Sequence, residues 1–139
     1  MRKNLPRSRS LLAAAMAATM VAGVPNAAQA QIPGLLPSIE DVEPLGALPI
    51  DGVWRIRENG ELIVIGDGHA YAVDGWLHAF VFQIMPRQVV IRNLRENSRG
   101  DFVGDDLPLM SKVTLTPGRD GSLRGRTTGL VPVTYHLEP

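Results

Sequence analysis

The sequence predicts an all-β protein: a small antiparallel meander of about seven or eight strands, closed into a barrel or folded into a sandwich, behind a proline-rich N-terminal arm. Three observations carry this. From residue 51 onward, short apolar runs alternate with polar residues, the two-residue period of half-buried strands. Turn signals separate the runs, among them Asn59-Gly60, Gly66-Asp67-Gly68 and Asp74-Gly75. Four prolines at positions 33, 37, 44 and 49 hold the preceding stretch out of long helices and central strands.

Residues 1–30 read as a cleavable export signal. Arg2, Lys3, Arg7 and Arg9 make a basic start, and residues 11–24 are apolar and uncharged. Ala28-Gln29-Ala30 then offers the small-x-small pattern that signal peptidase accepts. An apolar run of 14 residues is too short to span a hydrocarbon core about 30 Å thick. Ser8 separates Arg7 from Arg9, so the twin-arginine signal is not matched, and with no cysteine in the chain there is no lipoprotein anchor. The expected destination is the periplasm or the outside of the cell.

Cleavage after Ala30 leaves residues 31–139, with ten basic and fourteen acidic residues, a net charge of −4. Lys112 is the one lysine of that segment. Such a chain is ill suited to nucleic acid, where affinity comes from neutralising many phosphates. Without cysteine, an exported domain of this size must be held by its core alone. Thiol nucleophiles, thiolate metal sites and iron–sulfur clusters are excluded with it.

Residues 31–50 form the arm. Its prolines are interleaved with Leu35, Leu36, Ile39, Val42, Leu45 and Leu48, more large apolar side chains than a solvated linker carries. The arm is therefore expected to pack on the domain or on a partner. A short helical turn fits residues 38–43, where Ser38 and Asp41 resemble a capping box.

The β domain, residues 51–139, begins with an alternating strand over residues 53–57, with Trp54 and Ile56 on one face. Strands follow at 62–65 and 69–73. Residues 76–85 are apolar on both faces, and predict one long central strand covered on both sides. Further strands are expected at 87–94, 101–103, 110–116, 122–127 and 131–137, with another turn at 118–121. Residues 56–60 and 94–98 echo one another 38 positions apart, through duplication or through common reuse of turn residues.

Gly52-Val53-Trp54 resembles the opening of the lipocalin-like (calycin) barrels. In that group a Gly-x-Trp on the first strand follows a short arm, and the Trp plugs one end of the barrel. Small periplasmic metalloprotease inhibitors share the layout. The resemblance implies a closed barrel with Trp54 at one end, and the family's closing arginine would fall to Arg124 or Arg126.

Candidate chemistry is sparse. His69, His78 and His136 lie on three different expected strands without metal-motif spacing, so a shared metal site is not expected. Asp101, Asp105 and Asp106 offer oxygen ligands for calcium, but read better as turn residues facing water. No serine sits in a Gly-x-Ser-x-Gly elbow, and no glycine-rich phosphate loop precedes a helix. No catalytic constellation and no cofactor is implied. Arg124 and Arg126 share a strand face that suits an anion, or simply faces solvent. Trp54, Tyr71, Trp76, His78, Phe80 and Phe82 are the candidates for lining an apolar ligand site, although a packed interior is the simpler expectation.

The sequence thus points to a non-enzymatic exported binding protein, with an unknown protein or a small apolar ligand as partner and the arm as the expected contact. An integral outer-membrane barrel is disfavoured, because eight spanning strands of about 9–11 residues leave little chain for loops.

Overall fold

The computed structural model describes residues 36–78 and 82–139. The expected export signal, the first five residues of the expected arm and Phe80 lie outside the described residues. No helix among them is long and apolar enough to cross a membrane.

Eight strands close into an antiparallel barrel. They are β1 (Gly52–Ile56), β2 (Leu62–Gly66), β3 (His69–Ala72), β6 (Val89–Glu96), β7 (Phe102–Asp106), β8 (Ser111–Pro117), β9 (Leu123–Thr127) and β10 (Thr134–Glu138). Two further strands, β4 (Trp76–His78) and β5 (Phe82–Ile84), pair with each other outside the barrel sheet. Around the barrel the order is β1-β10-β9-β8-β7-β6-β3-β2. It is a plain meander, broken once where β4 and β5 are inserted between β3 and β6.

The expected long strand over residues 76–85 is therefore corrected. Trp76 pairs with Ile84 and both are buried, while Leu77 and Met85 are exposed. The run reads as apolar on both faces because one face packs on the barrel and the other is an apolar surface. Asp74-Gly75 does not make a hairpin either. It turns the chain out of the barrel, and β3 pairs with β6 instead.

Antiparallel alternation gives the barrel two unlike ends. The turns at Asp67-Gly68, 97–101 and 118–122 lie at one end. The connections after β1, β3, β7 and β9 lie at the other, hereafter the mouth. Away from the mouth the interior is close-packed by Ile65, Leu94, Phe102, Val113, Leu115, Leu123 and Leu137, all 2 % exposed or less. Burying side chains of this kind stabilises by roughly 1.5–3 kcal/mol each. Trp54 belongs to this end. Its indole N–H donates to the carbonyl of Ile50, just before β1, at 2.9 Å.

The arm is docked from Leu36 onward. Its N–H and C=O groups at Ile39 and Pro37 bond Arg87 and Val89, both at 2.9 Å or less. A 3₁₀ turn spans Ile39–Asp41, shorter than the helix expected, and Ser38 bonds the Glu40 carboxylate rather than capping it. Leu45 N–H bonds Asp67 C=O at 2.8 Å. A side chain at Gly68 would sit 2.8 Å from the Leu45 Cβ, and its φ of +80° favours glycine in any case.

His69 explains why the arm adheres. Ala70 and Ala72 point inward, so His69 and Tyr71 point outward, yet His69 is only 1 % exposed. Its Nδ1 accepts the Asn93 N–H at 3.3 Å, so Nε2 carries the hydrogen and donates to the Glu43 carbonyl at 2.8 Å. Asn93 can present that N–H because it adopts a positive φ of +58° within a bulge of β6. One imidazole therefore joins arm, β3 and β6. His69→Ala removes a buried imidazole and the partner of two part-buried backbone groups and is expected to lower stability by about 2–4 kcal/mol. Chemical denaturation checks this; a loss below about 1 kcal/mol contradicts the joining role.

Candidate functional site

At the mouth the described residues form a half-open pocket of about 200 Å³. The interior is packed at one end, and an apolar pocket opens at the other. Ile63 of β2, Val90 and Ile91 of β6, and Trp76 and Ile84 of the inserted pair form most of the wall. The β3–β6 bulge places Val90 and Ile91 on the cavity side together, a break in alternation that a regular strand does not permit. Ile56, Pro108, Leu109 and Val133 complete the apolar lining.

Polar groups enter this wall at few places. Asp106, the last residue of β7, is 8 % exposed. Its Oδ1 accepts the Leu109 N–H at 2.9 Å, which turns the β7–β8 connection. Burial pushes its carboxyl up to about 6, against the lowering effect of that one bond. Tyr135 of β10 lies across the cavity wall. Burial, with the nearby Asp106 and Glu58 charges, holds its phenol above the ordinary range, so it remains a neutral donor. Burial likewise pushes the His78 imidazole down, so it is neutral at pH 7.

Tyr135 fits because of Gly125. The two residues are cross-strand partners on β10 and β9. A Cβ on Gly125 would lie 2.5 Å from ring carbons of Tyr135. The phenol therefore rests directly against the β9 backbone. Arg124 and Arg126 flank this glycine on the outer face and are both exposed, with Thr116 and His136, and Thr114 and Thr134, as their neighbours.

The rim carries a hydrogen-bonded seam. Glu58 accepts the His136 N–H at 3.0 Å and contacts His136 Nδ1 at 2.8 Å. Partial burial raises the Glu58 carboxyl, but these bonds win and hold it below its ordinary value. Both buried side-chain polar atoms without a partner among the described residues, Trp76 Nε1 and Ser111 Oγ, belong to the mouth end. Each such group costs about 1–3 kcal/mol.

The sequence-derived candidates divide accordingly. Trp76 and His78 line the cavity. Phe82 packs half-buried against the core, and Phe80 lies outside the described residues. Trp54 is at the opposite end. Tyr71 is on the outer face under the Arg87 guanidinium, 5.6 Å from its ring centre. The histidines are held apart, His69 by the arm and His136 by Glu58. Among the described residues no group of three or more His, Cys, Asp or Glu is placed to hold a metal. Asp105 faces outward to Lys112 and Asn93 while Asp106 faces inward, so the carboxylates weighed for calcium lie on opposite faces. Asp106 and Tyr135 were not anticipated. Alternation back from Phe102 and Leu137 is the signal that places both on the inner face.

Asp106 titrates with a definite sign. Its raised value means the folded state holds the proton more tightly than the unfolded chain, so stability is lost as pH rises from about 4 to about 6. Asp106→Asn keeps an oxygen for the Leu109 N–H and removes the buried charge. It is expected to raise stability at pH 7 by about 1–3 kcal/mol and to flatten the slope between pH 4 and 6. Denaturant melts across that range check both; an unchanged slope contradicts a buried, destabilised carboxylate. Comparison with protein-family models, curated proteins and solved structures finds no match to this chain.

Proposed function

We propose that this protein is an exported binding protein that carries a small apolar ligand in the mouth of its barrel. The observation that supports the reading most is the hollow of about 200 Å³ walled by isoleucine, valine, leucine and tryptophan. A dry apolar cavity of about 150 Å³ is enough to take up benzene, and one of this size suits a single ring or a short alkyl chain. Ligand pockets commonly combine such walls with a few convergent polar groups, here Asp106, Tyr135 and His78.

The rim supports the same reading. Leu77, Met85, Met110, Leu130 and Val131 are exposed large apolar residues, and all belong to the connections or the inserted pair at the mouth. An apolar guest therefore meets an apolar approach. The resemblance to lipocalin-like barrels is one of architecture and does not by itself carry function. The alternative, an inhibitor-like grip through the arm, is less supported, since residues from Leu36 onward are engaged by β3 and β6.

A saturable complex with toluene is expected, seen as shifts of amide resonances around Ile63, Ile91 and Leu109 in a titration. Leu109→Trp, at a half-buried connection, should fill the mouth and weaken toluene at least about tenfold while leaving the fold intact. Absence of saturable binding, or affinity unchanged by Leu109→Trp, contradicts the proposal.

A further inference from the structure

The charges around the hollow are one-sided. Among the described residues its lining includes two carboxylates, Asp106 inside and Glu58 at the rim, and no lysine or arginine. His78 is neutral at pH 7 and Tyr135 stays protonated. The nearest lysine by sequence, Lys112, is turned outward on β8 and paired with Asp105. Glu58 is already engaged by the backbone and ring of His136. Asp106 is the exception: one oxygen takes the Leu109 N–H, and the other has no donor among the described residues. A carboxylate buried this deeply without a counter-charge is costly unless something supplies one.

We propose that the mouth pocket selects a small primary amine, with its apolar body against the Ile63 and Trp76 wall and its ammonium on the free Asp106 oxygen. The inference rests on the reading of the mouth as a ligand pocket, and adds to it the chemical class of the ligand. Ammonium supplies the missing positive charge and a hydrogen-bond donor at once. A carboxylic acid ligand meets two acidic groups and no cation, and is disfavoured. An amine on Asp106 stabilises the ionised form, so amine affinity rises as Asp106 deprotonates, from pH 5 toward pH 7.5.

Three probes of one shape test this on the full chain by calorimetry or resonance titration: benzylamine, benzyl alcohol and benzoate. The expected order at pH 7.5 has benzylamine at least about tenfold tighter than benzyl alcohol, with benzoate weakest. Lowering the pH to 5 should weaken benzylamine about tenfold and leave benzyl alcohol unchanged. Asp106→Asn should erase the amine preference while benzyl alcohol still binds. Equal affinity of amine and alcohol for the unmodified chain overturns the amine inference and leaves the apolar pocket standing. So does a preference that survives Asp106→Asn. Failure of all three probes to bind overturns both.

Discussion

Everything described here depends on a short seam. An eight-stranded sheet left open exposes two edges and has no interior end to hollow out. Closure rests on β1 meeting β10 through two register pairs, Arg55 with Glu138 and Ile56 with Leu137, and one further bond from Arg57 N–H to His136 C=O at 2.9 Å. An ion pair of Arg57 with Glu138 at 2.6 Å and a hydrogen-bonded contact of His136 with Glu58 reinforce it on the outside. Both are substantially exposed, so each adds little by itself; the apolar contact of Leu137 with the core does more. The seam joins residues some eighty positions apart, so it forms only after the intervening meander has brought its ends together.

Given closure, the split interior follows from which residues the inner positions carry. Aliphatic and aromatic side chains fill one end to close packing. Toward the mouth the inner positions become Asp106, Ser111, Thr127 and Tyr135, and the aliphatic ones retreat to the wall. Polar groups in such a place demand partners, and the barrel supplies few. Thr127 is satisfied by Val133, whereas Ser111 and Trp76 are left with buried unpaired atoms. Unmet hydrogen-bonding capacity and a pocket coincide at one end, the end where the ligand site is proposed.

The barrel strands were legible because their signal is local. Alternation and glycine turns placed all eight within a few residues. The inserted β4–β5 pair was not legible. Its apolar residues face a core on one side and solvent on the other, and composition cannot distinguish that from burial on both. The site was half legible. Trp76 and His78 stand out as an aromatic and an imidazole in an apolar run. Asp106 looked like a turn aspartate beside Asp105, and only the register of β7 against β8 separates them onto opposite faces. His69 invited a metal reading, and its real partners, Glu43 and Asn93, are far off in sequence and use backbone groups that no motif records.

Gly125 has a consequence of its own. It does not line the hollow, yet the floor on which the Tyr135 ring rests is its bare backbone. The depth of the chamber is thus set by an atom that is missing from a neighbouring strand. A lineage drifting from glycine to alanine at that site would lift the phenol toward the opening and shrink the space available to a guest. Guest size can therefore change through a residue no guest touches, with every wall residue left as it was.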